Sequence, residues 1–176
     1  MYKIINQKII LTRGESATFD AEFRDSDGAP TRIPAQNANG DPMSNTYIEF
    51  IVRETRFENS DIVFKLTFEP DPDFKYFTDL KIYDWDGVAG FETGPTGTEE
   101  DALYRYDNNG VIEYAYVDNG AWVEYNFPLK FEFMRDYTED VEPGKYWYEI
   151  AFFGDNYKKT LVDAKVFEIG GSISGE

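Results

Sequence analysis

The chain has 176 residues, about the size of one domain, and it contains neither cysteine nor histidine. These absences exclude catalytic thiolates, Ser-His-Asp arrangements, zinc centres built on His or Cys, and disulfides. Lys and Arg number 17 against 34 Asp and Glu, and the resulting net charge of -17 disfavours binding to nucleic acid and to anionic membranes. Because no apolar run is long enough to span a membrane and no signal-peptide pattern opens the chain, we expect a soluble protein.

Alternation of apolar and polar residues with a period of two predicts an all-β protein. The stretch at 146–153 is apolar on both faces, which is typical of a central strand. Near Val166 the apolar residues change from one face of the predicted strand to the other, which predicts a bulge or twist there. The predicted strands lie at residues 17–24, 48–52, 64–68, 129–133, 146–153 and 161–169, with one or two short strands at 4–11. This pattern favours an antiparallel immunoglobulin-like β-sandwich.

We predict a single domain over residues 1–169, followed by a flexible tail at 170–176. The sandwich core comprises residues 1–69 and 127–169, and residues 70–126 form an insertion. Residues 27–45 are rich in Gly, Pro and Asn, which indicates a long exposed connection.

At most two short helices are expected, both within the insertion. Asp71-Pro72 suits the start of one helix, and Thr98-Glu-Glu-Asp101 suits the start of another. The residues between them, from Asp86-Gly87 to Thr96-Gly97, are predicted to form a loop.

Two turn motifs, Asp107-Asn-Asn-Gly110 and Asp118-Asn-Gly120, predict a pair of hairpins in the insertion. Tyr and Trp combine a large apolar area with a polar group, which suits protein interfaces and sugar stacking alike. Packing of these rings onto the sandwich is the alternative. The candidate interface residues on the hairpins are Tyr104, Tyr106, Tyr114, Tyr116, Trp122 and Tyr125.

Pairs of aspartates two residues apart resemble the start of calcium-binding loops. No pair continues into a complete loop, because after Asp84 the glycine comes at position 4 and position 12 is Pro95. Asx turns at strand ends are therefore the favoured interpretation, and we predict no metal site and no cofactor. The pairs lie at residues 25–27, 71–73 and 84–86.

A glycosidase is the enzyme class that this composition still allows readily, because it needs only two carboxyl groups across a cleft. Among 34 acidic residues, however, nothing distinguishes Glu113 and Glu124 from the others. We predict no catalytic residues and no enzymatic activity.

Several motifs lie at the two ends of the chain. The first two motifs are Arg13-Gly-Glu-Ser-Ala-Thr-Phe19 and Asp25-Ser-Asp-Gly-Ala-Pro30. The third is the predicted strand at 48–53, and the last two are the stretches at 143–150 and 160–169. These motifs resemble β-sandwich domains of tailed-phage virion proteins, in particular the N-terminal domain of phage upper baseplate proteins. The resemblance covers roughly residues 7–69 and 128–169 and implies a structural protein with no catalytic residues to carry over.

The resemblance implies assembly within a bacteriophage virion, in the tail, baseplate or neck, after synthesis in the host cytoplasm. The expected partners are other virion proteins and further copies of the chain, and neither nucleic acid nor a membrane. The alternative function is a carbohydrate-binding module whose aromatic hairpins stack on a glycan, for example during host attachment.

Overall fold

A computed structural model of the chain describes residues 3–4, 8–82, 85–125, 128–154 and 157–171. The described chain is predominantly β, as predicted, and its helices are two 3-10 helices at Glu99–Asp101 and Arg135–Tyr137. The fold divides into two compact units. The first unit contains residues 1–31, 43–69 and 128–176, and the second contains residues 32–42 and 70–127.

The strands form four sheets within the described residues. In chain order they are β1 (Lys3–Ile4), β2 (Ile9–Thr12), β3 (Ala17–Ala21), β4 (Phe23–Arg24), β5 (Pro30–Thr31), β6 (Tyr47–Arg53), β7 (Ile62–Phe68), β8 (Gly90–Glu92), β9 (Tyr104–Tyr106), β10 (Ile112–Asp118), β11 (Ala121–Glu124), β12 (Leu129–Phe133), β13 (Gly144–Gly154) and β14 (Tyr157–Gly170). The sheet orders are β1-β4-β5, β12-β3 and β2-β14-β13-β6-β7 in the first unit, and β11-β10-β9-β8 in the second.

The five-stranded sheet is the framework of the first unit. Strand β13 lies between β14 and β6, which confirms that residues 146–153 form a central strand. Five consecutive residues of β6 are buried, so this strand is covered on both faces. All neighbours run antiparallel except β2 and β14, which pair in parallel.

An aromatic core joins this sheet to the β3–β12 pair. Phe50 of β6 is fully buried, and its ring centroid lies 6.0 Å from that of Phe19 in β3 and 5.2 Å from that of Phe131 in β12. Phe19 and Phe131 are themselves paired across the β3–β12 ladder. Strands of two different sheets therefore contribute rings to one core.

The irregularity predicted near Val166 lies earlier in β14. Between the pairs Tyr148–Lys165 and Ile150–Val162, β13 advances by two residues and β14 by three. A second extra residue of β14 follows before Thr160. The longer strand thus accommodates its additional residues as bulges, N-terminal to the parity change visible in the sequence.

The prediction of a wholly exposed connection at residues 27–45 is wrong. Ile33 and Ala35 are almost completely buried. The N–H of Ala35 donates to the carbonyl of Lys75 at 2.7 Å, and the N–H of Phe77 donates to the carbonyl of Ile33 at 3.0 Å. The segment pairs with residues 75–77, and its alternating apolar residues point into the structure although Gly, Pro and Asn dominate its composition.

The helix predicted at Asp71-Pro72 is also wrong. Asp71 forms a single turn, in which its Oδ1 accepts the N–H of Asp73 at 2.9 Å and its carbonyl accepts the N–H of Phe74 at 3.0 Å. The next backbone groups are used for pairing with residues 33–35, so no helix can continue. The helix expected after Thr98 is present as one 3-10 turn, whereas the loop expected at 86–97 contains β8, which pairs with β9.

Candidate functional site

The predicted hairpins form the sheet of the second unit. At the first turn the Asp107 carboxylate accepts the N–H groups of Asn109 and Val111 at 2.8 and 3.0 Å, and Gly110 adopts a φ of +75°. At the second turn Asn119 and Gly120 both have positive φ, as this class of tight hairpin turn requires. Both hairpins are therefore confirmed, and they determine where the aromatic side chains lie.

Alternation along β9 separates the candidate aromatic residues onto two faces of the sheet. Tyr104 and Tyr106 share one face, with ring centroids 6.3 Å apart. Arg105 points to the other face, where its guanidinium carbon lies 5.2 Å from the ring centroid of Tyr114 and 5.9 Å from that of Trp122. The six residues selected from the sequence therefore do not form one continuous aromatic surface.

Trp122 is half-buried and held by several contacts. Its ring lies 6.1 Å from Tyr114 and 6.0 Å from Phe91. Its indole N–H donates to the carboxylate of Glu99 at 2.7 Å. The indole orientation is consequently fixed by neighbours on two strands and on the 3-10 helix.

Tyr116 and Tyr125 have opposite environments. Tyr116 is 52% exposed, as an interface residue should be. Tyr125 is only 2% exposed, and the structure corrects its selection as an interface residue. Burial, reinforced by the negative charge of Asp79, raises the pKa of Tyr125 far above its ordinary value. The chain folds inward after β11, where the N–H of Tyr125 donates to the carbonyl of Glu113.

Arg32 is the centre of a polar cluster in the second unit. Its Nη2 lies 2.7 Å from Oε1 of Glu124, and its Nη1 lies 3.3 Å from Oδ1 of Asp79. The guanidinium also covers the ring of Tyr76, at 4.1 Å from the centroid. Because the Arg32 side chain is only 12% exposed, these contacts hold it in a mostly desolvated position.

Asp79 is the most buried charged member of this cluster, with its side chain 4% exposed. Its Oδ2 accepts the backbone N–H groups of Lys75 and Tyr76, both at 3.1 Å. Burial raises the pKa of Asp79 above its ordinary value, although these hydrogen bonds and Arg32 act in the opposite direction. Desolvation thus outweighs the favourable contacts of the charged form.

A cavity of about 820 Å³ lies beside the cluster, and all of its lining residues belong to the second unit. Its walls come from residues 32–40, 73–79, 107–114 and 122–124. Aromatic side chains of this lining are Tyr76, Tyr114 and Trp122. The rest of the lining is mostly charged and polar, so the cavity is more polar than a typical small-molecule site and suits a polar ligand.

The charges around the cavity are unbalanced. Arg32 and Lys75 face five carboxylates, those of Asp73, Asp79, Asp107, Glu113 and Glu124. The structure thus brings Glu113 and Glu124 to one cavity, although no pattern in the sequence distinguishes this pair. Within the described part of the chain, no hydrogen bond or ion pair engages the Glu113 carboxylate.

Hydrogen bonds confirm Asx turns at three of the aspartate motifs. Oδ1 of Asp25 accepts the N–H groups of Asp27 and Ala29, Asp71 accepts that of Asp73, and Oδ1 of Asp86 accepts the N–H of Val88. Asp84 lies outside the described residues, as does the tail beyond residue 171. In the ranges that the structure describes, no group of three or more Asp or Glu side chains is placed to hold a metal ion.

A smaller cavity of about 130 Å³ lies on the five-stranded sheet of the first unit. Lys158 lines it, with its Nζ 2.6 Å from Glu58 and 2.9 Å from Glu149. Burial alone would lower the pKa of Lys158, but its hydrogen bonds to the two glutamates raise it overall. Over the whole lining, Arg53, Arg56 and Lys158 balance Glu58, Glu149 and Asp163. The larger cavity, with its unbalanced charge, is therefore the stronger candidate site.

Arg32, Tyr76 and Asp79 are functional candidates that sequence patterns alone do not reveal. Arg32 is 47 residues from Asp79 and 92 residues from Glu124. The one local signal is the alternation of Ile33 and Ala35 beside Arg32, which favours a short paired segment over an exposed loop.

Comparisons with family models, with curated proteins and with solved structures found no match for this chain. In the described residues, no helix has the length and apolar character needed to cross a membrane. The role of the chain must therefore be inferred from its own residues.

Proposed function

We propose that this chain is a non-enzymatic structural protein of a bacteriophage virion, in the tail, baseplate or neck, and that it acts through protein–protein assembly. The observation that carries the proposal is the placement of the phage-like motifs in the fold. All five of them fall within the first unit, at residues 13–19, 25–30, 48–53, 143–150 and 160–169.

The first two motifs form turns of the first unit. Gly14 has a φ of +74° in the turn before β3, and its N–H donates to the hydroxyl of Thr138 at 3.0 Å. Asp25 closes the turn between β4 and β5 through its side chain. Turn-forming roles of this kind support a scaffold function for these two motifs.

An immunoglobulin-like β-sandwich is the proposed finer description of the first unit. The ring contacts of Phe50 with both β3 and β12 support two sheets packed on one core. The parallel pairing of β2 with β14 makes the larger sheet mixed, which departs from the purely antiparallel arrangement expected.

The second unit offers surface for assembly. Four of its large apolar side chains are exposed on or beside the four-stranded sheet β11-β10-β9-β8: Val88, Phe91, Leu103 and Tyr116. Exposed apolar groups of this kind favour a protein contact. Copies of a chain with a charge of -17 repel one another, so partners bind through such groups or present a basic surface.

A double variant tests the assembly surface. Leu103→Ser with Tyr116→Ser removes two exposed apolar groups and should leave a folded protein that incorporates poorly into particles. The control, Phe57→Ser with Met134→Ser, removes two exposed apolar groups of the first unit and should incorporate normally. Mass spectrometry of purified virions measures incorporation. Absence of the wild-type chain from virions, or equal incorporation of both variants, would contradict the proposal.

Carbohydrate binding is the second candidate function, and the lining of the large cavity favours it. Trp122 is half-buried and shares the cavity with Tyr114, Glu113 and Glu124. Aromatic faces beside carboxylates are the contacts by which proteins hold sugar rings and their hydroxyl groups. A glycan array probed with the full chain should give reproducible binding, and an array without hits argues against this function.

A further inference from the structure

We propose that the cavity of the second unit is a binding site for an uncharged saccharide, an inference that rests on the carbohydrate-binding function proposed above. A sugar ring presents an apolar C–H face and a rim of hydroxyl groups. The cavity offers aromatic surface from Tyr76, Tyr114 and Trp122 together with charged donors and acceptors. Its volume of about 820 Å³ lies within the range of roughly 300–1,000 Å³ that is typical of ligand sites.

One wall of the site is ordered before a ligand arrives. Arg32 is held between Asp79 and Glu124 and lies over Tyr76. Asp79 is anchored in turn by two backbone N–H groups. A wall fixed in this way lowers the ordering cost of binding.

Other polar groups of the lining remain available to a ligand. Within the described ranges, no hydrogen bond engages the ammonium of Lys75, the carboxylate of Glu113 or the hydroxyls of Tyr76 and Tyr114. Together they supply a cationic donor, an anionic acceptor and two groups that can do either. A polyhydroxyl ligand can use all of these, because each sugar hydroxyl both donates and accepts.

The charge of the lining determines which saccharides fit. Five carboxylates line the cavity, of which Arg32 pairs with two and Lys81, outside the lining, pairs with Asp73. Among the described residues, Lys75 is then the one lining cation that faces the remaining two, Asp107 and Glu113, so the surroundings stay net negative. Sialylated, uronic or phosphorylated glycans would meet uncompensated negative charge, so the site should prefer neutral sugars.

Two variants of one turn test the location of the site. Asn108 and Asn109 are adjacent and exposed, but only Asn109 lines the cavity. Asn109→Trp should obstruct the cavity, while Asn108→Trp adds the same ring outside it; both leave the backbone donors to Asp107 in place. On an array of neutral and acidic oligosaccharides, wild type and Asn108→Trp should bind neutral glycans. Asn109→Trp should bind them at least about tenfold more weakly.

A second pair of variants isolates the carboxylate. Glu113→Gln should weaken binding of the same neutral oligosaccharides by about tenfold, because a hydrogen bond to a charged group is replaced by one to a neutral amide. Glu132→Gln makes the same change at an exposed site on β12 and should leave binding unchanged.

The outcomes separate the site from the function. Equal binding by Asn108→Trp and Asn109→Trp would overturn the site and leave carbohydrate binding standing. No binding of any neutral oligosaccharide by the wild-type chain would overturn both. A preference for acidic glycans would overturn the selectivity inferred from charge.

Discussion

Replacing Phe50 and Phe131 with leucine, singly and together, tests whether two sheets share one core in the first unit. Phe50 belongs to β6 of the five-stranded sheet and Phe131 to β12 of the two-stranded sheet. Both rings are buried, with centroids 5.2 Å apart and planes inclined by 47°. If the proposed sandwich is correct, the two rings must stabilise the protein jointly.

The expected energies follow from this geometry. Truncation of a buried Phe to Ala costs about 3–5 kcal/mol, and leucine fills more of the space, so each single variant should lose about 1–3 kcal/mol. An aromatic pair contributes about 0.5–1.5 kcal/mol beyond the area that it buries. The double variant should therefore lose less than the sum of the single variants by about that amount.

Urea denaturation at 25 °C, followed by circular dichroism, provides the free energies of unfolding. Phe57 supplies the control, because it is exposed and makes no ring contact with Phe50 within the described chain. Effects of Phe50→Leu and Phe57→Leu should add within about 0.3–0.5 kcal/mol. A coupling between Phe50 and Phe131 no larger than this control would refute a shared core and with it the sandwich.

Three further results are expected. A Cβ at Gly110 (φ +75°) would lie 2.9 Å from Trp85, whereas one at Gly120 (φ +79°) meets nothing within 4 Å. Left-handed backbone costs about 1–2 kcal/mol at either position. Gly110→Ala should therefore lower the Tm more than Gly120→Ala, and equal shifts would exclude the contact. Burial raises the pKa of Asp79 in the folded protein above its unfolded value of about 3.9. Protonation of Asp79 therefore stabilises the folded protein fully below the unfolded pKa, and this contribution to the free energy of unfolding is lost as pH rises through the folded pKa. The difference in the free energy of unfolding between wild type and Asp79→Asn should therefore fall as pH rises over this range. A difference that rises with pH would show that the folded protein lowers the pKa of Asp79. Burial raises the pKa of Tyr148 to about 12, so its contribution is lost as pH rises from about 10 through 12, and Tyr148→Phe should remove this loss in urea titrations.

The features that can be predicted from the sequence are those encoded by neighbouring residues. The first turn is capped by Asp107 and has positive φ at Gly110, and the second has positive φ at Asn119 and Gly120, so both turns are recognisable without tertiary information. The central position of β13 is visible because its two faces are both apolar. Such local signals do not depend on which distant strand becomes the partner.

The candidate site depends on contacts that local patterns do not contain. Arg32 lies in a segment whose Gly, Pro and Asn content resembles a loop, and its partners Asp79 and Glu124 are far away in sequence. The parallel pairing of β2 with β14 is hidden for the same reason, since it joins the two ends of the chain. The place of Tyr125 in the alternating pattern of apolar and polar residues gives no sign that the chain turns inward after β11.

The two proposals can be tested separately because different residues carry them. Leu103 and Tyr116 of the proposed assembly surface lie in the second unit, as the cavity does, but neither lines the cavity. Every motif that resembles the phage domain lies in the first unit, and every residue that lines the large cavity lies in the second. A wall of paired charges such as Arg32, Asp79 and Glu124 contributes little net stability to a fold, since desolvation offsets most of the attraction between the charges. In the proposed site these groups form the wall that is ordered before a ligand binds. Replacing Glu113, whose carboxylate makes no hydrogen bond or ion pair in the described chain, should change saccharide binding and leave incorporation into the virion intact.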